Sequence, residues 1–184
     1  MESVRTLSHF MIKVFLFDID GVLTSGRKLY DQSGFCVGKE FCDKDFTVLK
    51  RLKARGVECI AITGDPWNEE IMLNRRIKCV NSRNKNKEDF LPIICKDYDV
   101  NPSEIAYIGD DLFDVGLLKA VGYAYCPKDA VIECAACSYQ LSSYGGENVL
   151  SELMEDFRDK EYIPYLPFDK EYQKILDLDK YERF

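Results

Sequence analysis

Four short apolar runs, each closed by a polar turn, constrain this chain more than any other feature. They are Ile12 to Phe17, Val57 to Ile62, Ile105 to Ile108 and Tyr123 to Tyr125. Each is apolar almost without a break, the pattern of a strand covered on both faces. Between them lie Phe46 to Arg55, Asn68 to Arg76, Lys87 to Lys96 and Leu112 to Val121, which have helix-like spacing. Strand alternating with helix predicts right-handed crossovers and an α/β fold, a Rossmann-like parallel sheet flanked by helices. Ligands bind such a sheet beyond the carboxyl ends of its strands, so residues just after each run are the candidates for chemistry.

Residues 25–42 break the alternation. Gly26, Gly34 and Gly38 punctuate Leu29-Tyr30 and Phe35-Cys36-Val37, and Asp31-Gln32-Ser33-Gly34 suits a turn. This predicts a β-hairpin inserted after the first strand. A lone hairpin is marginal in water, so it is expected to pack on something else, such as another subunit. Residues 160–184 are rich in charges, Tyr and Phe, with Pro164 and Pro167 against an early helix. We expect residues 1–159 to form one domain and 160–184 a tail outside the sheet core.

With 184 residues the chain can build one domain with a real core. Its net charge of -7 argues against a nucleic-acid partner. It shows no signal-peptide pattern and no apolar run near ~18 residues, so the expectation is a cytoplasmic protein with no membrane partner. Eight cysteines include a single CxxC, Cys134 and Cys137, and the lone histidine is His9. A closed zinc site therefore lacks ligands, and small buried thiols in a reducing compartment are expected.

The turns at the strand ends are polar in a particular way. Asp18 and Asp20 come after the first strand, Thr63-Gly64-Asp65 after the second, and Gly109-Asp110-Asp111 after the third, with Asp114 one helical turn later. Lys87 opens the helix between the second and third strands. For Asp65 or Asp45 the simpler role of helix N-cap competes. So many carboxylates at one sheet edge repel one another unless a cation sits among them, and a hard, oxygen-loving ion, Mg2+, is the natural occupant. The types then suggest roles. Asp18 attacks phosphorus and becomes an acyl phosphate, and Asp20 exchanges protons with the leaving alcohol and with water. Thr63, Gly64 and Lys87 hold the phosphoryl oxygens, Asp110 completes the metal shell, and Asp111 and Asp114 support metal waters and Lys87.

DxDGxxT, a strand ending in Thr-Gly, a lysine and GDDxxD, in this order over roughly residues 12–150, resemble the haloacid dehalogenase superfamily. The resemblance implies Asp18 as nucleophile, Asp20 as acid/base and Thr63 as phosphate binder. It implies Lys87 as the third-motif lysine, chosen over Lys85 by its distance from Gly109, and Asp110 as second carboxylate ligand. Magnesium would take Asp18, Asp110 and the backbone carbonyl of Asp20. The gaps from Asp20 to Thr63 and from Thr63 to Lys87 leave no room for a cap domain. The chain thus resembles the capless subfamily typified by 3-deoxy-D-manno-octulosonate 8-phosphate phosphatases. In that group hairpins assemble a homotetramer, and neighbouring subunits help to close each site.

Two departures bear on substrate. Asp65 stands where the octulosonate enzymes usually carry Arg, and Glu147 where an Arg follows their glycines. Acid at the first position is similar to relatives acting on nine-carbon keto-acid phosphates, such as sialic acid or KDN 9-phosphates. The expected substrate is therefore a phosphorylated eight- or nine-carbon sugar acid. Asp65 would need a partner cation, for which Arg75 and Lys78, three apart on a helical pattern, are candidates. Alternatives are a phosphatase for another small metabolite, or a silent oligomerisation or regulatory domain associated with an acylneuraminate cytidylyltransferase.

Overall fold

The computed structural model describes residues 11–181, so His9 lies outside the described residues. Six strands form one parallel sheet: β1 (Val14–Phe17), β4 (Glu58–Thr63), β5 (Lys78–Asn81), β6 (Ile105–Ile108), β7 (Tyr123–Cys126) and β8 (Tyr139–Gln140). Their order is β5-β4-β1-β6-β7-β8. The four expected strands are present, and β5 and β8, short and flanking, extend the sheet at its two edges.

Burial on both faces explains the unbroken apolar runs. In β1, Phe15 and Phe17 face one core cluster, while Val14 and Leu16 face the other. The first cluster is closed by α1 (Asp43–Ala54) and α6 (Val149–Asp159), with Phe157 edge-on to Phe15 at 6.0 Å between ring centres. The second is closed by α3 (Leu91–Tyr98) and α4 (Val115–Ala120). Each such large side chain, fully buried, contributes roughly 1.5–3 kcal/mol. The central strand has no water-facing side, and the sheet is fixed around it.

Two helices begin differently from the sequence expectation. Lys87–Phe90 and Leu112–Asp114 are single 3-10 turns that lead into α3 and α4. These tight turns hold Lys87 and Asp114 at the sheet edge. Helix α2 (Trp67–Asn74) follows β4, and a four-residue helix α5 (Ile132–Ala135) precedes β8. The inserted hairpin is a separate two-stranded sheet of β2 (Leu29–Tyr30) and β3 (Cys36–Gly38). Asp31 Oδ1 accepts from Ser33 N and Phe35 N, both at 2.9 Å, which closes its turn. Leu29, Tyr30, Phe35 and Val37 are exposed.

After Pro167 the chain forms α7 (Phe168–Asp179), which lies on α1 rather than on the sheet. Glu171 accepts from Arg51 Nε at 2.6 Å and from Arg55 Nη1 at 2.8 Å. All eight cysteines are free thiols. Cys59, Cys126 and Cys134 are buried, and the other five are partly exposed. Among the described residues no helix is long and apolar enough to cross a membrane.

Candidate active site

β1 lies at the point where the chain turns from filling one side of the sheet to filling the other, with β4 and β6 as its neighbours. Loops leaving these three strands diverge there and open a cleft, as expected at a topological switch point. The cleft is about 730 Å³. Asp18, Asp20, Thr63, Asp65, Lys87 and Asp114 are among the residues that line it.

The turn after β1 is held by its own backbone and by Thr24. Leu23 N and Thr24 N both donate to Ile19 O, at 2.9 and 3.1 Å. Thr24 Oγ1 accepts from Gly26 N at 3.2 Å. Gly21 has φ +95, and a Cβ there would lie 1.9 Å from Asp110 Oδ2. Only glycine lets the β6 carboxylate come this close. Gly145 in turn packs on Gly21, where a Cβ would meet its carbonyl oxygen at 1.8 Å.

Lys87 is buried and lies 2.7 Å from Asp18 Oδ1 and 2.6 Å from Asp114 Oδ1. Tyr107 Oη donates to the same Asp114 oxygen at 2.5 Å. The other oxygen, Asp114 Oδ2, accepts from Asp110 N at 2.8 Å and Asp111 N at 3.0 Å. Asp114 is thus fully engaged by protein donors. Asp111 lines the cleft and caps the following turn, with Oδ1 accepting from Leu112 N at 2.7 Å.

Asp18, Asp110 and Asp114 each bring one carboxylate oxygen within 4.8 Å of the others. Asp110 Oδ1 is buried and has no hydrogen-bond partner among the described residues. Burial raises the Asp18 pKa, Lys87 offsets part of the rise, and the result is about 6. Asp110 is pushed up to about 8 by burial and by the charges of Asp18 and Asp114. An orphaned oxygen beside a second carboxylate is the donor set of a hard divalent cation. The residues fit one held between Asp18 and Asp110, with Asp114 left to anchor Lys87.

Across the cleft Thr63 Oγ1 accepts from Asn68 Nδ2 at 2.8 Å and Asp65 N at 3.2 Å. Asp65 is both a cap and a charge partner: Oδ1 accepts from Trp67 N at 3.0 Å, and Oδ2 lies 2.7 Å from Lys28 Nζ and 2.8 Å from Lys39 Nζ. Those hydrogen bonds outweigh desolvation and hold Asp65 well below the usual carboxylate range. Lys39 also lies 2.7 Å from Asp20 Oδ1.

The cations expected for Asp65 therefore come from another element. Lys28 and Lys39 flank the hairpin, while the structure places Arg75 and Lys78 away from the cleft. Arg75 Nη2 donates to Asp43 at 2.7 Å, and its guanidinium lies over Phe46. Lys78 begins β5, at the sheet edge opposite the cleft, and donates to Tyr98 Oη at 3.3 Å. Sequence reasoning missed Lys28, Lys39 and Asn68. A hairpin grafted at the carboxyl edge of β1, with a lysine at each end, was the available signal.

Residues 72–144 match the haloacid dehalogenase-like hydrolase family. The 3-deoxy-D-manno-octulosonate 8-phosphate phosphatase of Haemophilus influenzae is 29% identical over 150 residues, 78% of this chain and 81% of that protein. The N-acylneuraminate cytidylyltransferase of Oncorhynchus mykiss is 28% identical over 79% of this chain, which spans 35% of its length. The Moraxella catarrhalis 3-deoxy-D-manno-octulosonate 8-phosphate phosphatase, solved with magnesium, phosphate and KDO, superposes with TM-score 0.73 and 27% identity. That alignment covers 80% of this chain and 86% of the other. With the sheet, its switch-point cleft and these relatives in agreement, the chain is similar to the haloacid dehalogenase-like hydrolases, and these likenesses support a phosphatase.

Proposed function

We propose that this phosphatase hydrolyses the phosphomonoester of an eight- or nine-carbon 3-deoxy-2-ulosonic sugar acid, using Mg2+ and a phosphoaspartate on Asp18. The observation that carries the chemistry is the placement of Lys87 between Asp18 and Asp114, opposite the unpartnered Asp110 oxygen. Asp18 and Asp110 would hold the ion, together with the Asp20 carbonyl. Bound there, the cation neutralises charge on the phosphoryl group and lets both carboxylates stay ionised.

An Asp18 oxygen forms a bond to phosphorus while the bond from phosphorus to the sugar oxygen breaks. A proton on Asp20 goes to that oxygen, so the sugar leaves as a neutral alcohol. Thr63 donates its hydroxyl hydrogen to a non-transferring oxygen, and the Gly64 backbone and Lys87 ammonium hold the others. Water then attacks phosphorus and gives its proton to Asp20, the bond from phosphorus to Asp18 breaks, and inorganic phosphate departs. Asp20 ends with the proton it began with.

Charge supports an acidic substrate. Asp20 and Asp65 are matched by Lys28 and Lys39, so they present no net negative wall to a sugar carboxylate. Arg83 and Lys85 rim the same cleft. Likeness to an octulosonate phosphatase supports eight carbons, and likeness to a cytidylyltransferase of N-acylneuraminate supports nine. The exposed apolar hairpin, Leu29, Tyr30, Phe35 and Val37, supports a homotetramer assembled through it. A panel of eight- and nine-carbon sugar-acid phosphates assayed with Mg2+ tests the reading. A preference for either class supports it, and equal slow turnover of all with rapid turnover of a neutral sugar phosphate contradicts it.

A further inference from the structure

Lys39 is the first residue after β3, on the way from the hairpin to α1, and its side chain is entirely buried, 0% exposed. An ammonium has three hydrogens and no acceptor, and burial obliges each hydrogen to find a partner. Here the partners are Asp20 at 2.7 Å, Asp65 Oδ2 at 2.8 Å and Asn68 Oδ1 at 2.8 Å. The ring of Trp67 lies beneath, 5.3 Å from Nζ to its centre.

Asn68, also buried, continues the chain of contacts. Its Oδ1 faces the ammonium, which fixes the amide orientation, since the flipped form would set NH2 against NH3+. Its two remaining hydrogens go to Asp20 Oδ2 at 3.2 Å and Thr63 Oγ1 at 2.8 Å. With Asp65 N also donating to it, the Thr63 oxygen has both acceptor positions filled. Only its own hydrogen is left, and that hydrogen is free to point into the cleft.

We propose that Lys39 and Asn68 are positioning residues, which lock the Asp20 carboxylate and the Thr63 hydroxyl into one unit held from the hairpin. Neither needs to touch the substrate. Proton transfer and phosphoryl holding then share a single geometry, and small displacements there are costly for rate. The hairpin, besides any contact it makes with a neighbour, becomes a structural part of the catalytic centre. This inference rests on the roles given above to Asp20 and Thr63, and does not depend on the sugar.

The test compares phosphoenzyme formation in single turnovers from p-nitrophenyl phosphate, whose phenolate leaves without a proton, and from an unactivated alkyl phosphate, whose alkoxide needs one. Asp20→Asn is the control: it should slow the alkyl ester by on the order of 100-fold or more, and the aryl ester far less. Lys39→Met should reproduce that selectivity, and Asn68→Leu should in addition raise KM for both esters through Thr63. If Lys39→Met lowers both rates in equal proportion while Asp20→Asn discriminates, Lys39 is a structural charge only and the proposal fails. If Asp20→Asn itself does not discriminate, the acid/base role of Asp20 is what fails. Should Lys39→Met melt below the assay temperature, Lys39→Met/Asp65→Asn removes one charge of each sign and carries the same comparison.

Discussion

Lys87 Nζ lies 2.7 Å from Asp18 Oδ1, and both side chains are buried at the carboxyl edge of β1. The contact offsets much of the cost of burying Asp18 as an anion, and Asp114 fixes the lysine from the other side. In the proposed reaction Asp18 is the nucleophile, useful only while ionised, so the ion pair would serve the reaction as well as the fold.

Removing Lys87 should therefore show in both. Lys87→Met is expected to lower kcat by about 100- to 1000-fold, the loss typical of one preorganised donor. It also strands two buried carboxylates, at a cost of about 3–5 kcal/mol. Lys87→Met/Asp114→Asn should recover part of that stability in thermal melts without recovering turnover. Recovery of turnover would place the catalytic charge elsewhere.

Asp110, a proposed metal ligand, offers a way to separate metal binding from folding. Its orphaned oxygen and its crowding by Asp18 and Asp114 make the carboxylate unfavourable until a cation arrives. Without added metal, Asp110→Asn should melt at or above the parent temperature. Mg2+ should raise the melting temperature of the parent and leave the variant unmoved. An equal Mg2+ shift in both proteins would remove Asp110 from the ligand set.

Gly21 tests the close approach of two loops. Gly21→Ala meets both a φ of +95 and the Asp110 carboxylate. The strain of such a backbone is worth about 1–3 kcal/mol. We expect loss of turnover and of the Mg2+-dependent melting shift, read by activity assay and by melts with and without the ion. Full activity would mean that Asp110 tolerates displacement.

Asp45 gives a pH dependence remote from the cleft. It is buried in α1, accepts from Leu150 N at 2.9 Å through Oδ1, and leaves Oδ2 without a partner among the described residues. Burial raises its pKa from 3.8 to about 7, against a small pull from Leu150 N-H. The folded state then holds this proton to higher pH than the unfolded state. The contribution to stability is fully present below pH 4 and is lost as pH rises from about 4 to about 7. At roughly 1.4 kcal/mol per unit this is a loss of a few kcal/mol by pH 8. Asp45→Asn should flatten that slope and melt higher than the parent at pH 8, as denaturant titrations at pH 5 and pH 8 would show.

The sheet was legible because its central strands are covered on both faces and so are written as continuous apolar runs. β5 and β8 were less so, since they are short edge strands with half-exposed or exposed residues. Asp18, Thr63 and Asp110 sit at or just after strand ends, where topology alone brings them together, and Lys87 opens the turn that leads into α3. The partner of Asp65 was not legible. Helical spacing put Arg75 and Lys78 on one face, but Arg75 turns to α1 and Lys78 starts a strand at the far edge. Lys39 is 26 residues from Asp65, and only the folding-back of the hairpin joins them. Asn68 was hidden for a different reason: it reads as an ordinary first-turn residue of α2, and its role comes from where Thr63 points.

The central claim is covalent catalysis by Asp18, and acid quenching tests it most directly. Enzyme turning over a 32P-labelled phosphomonoester with Mg2+ should yield acid-stable, hydroxylamine-labile label on the chain, mapped to Asp18 by peptide analysis. Asp18→Asn, folded by circular dichroism, should carry no label and release no phosphate. Label on another residue, or steady hydrolysis by Asp18→Asn, would contradict the account.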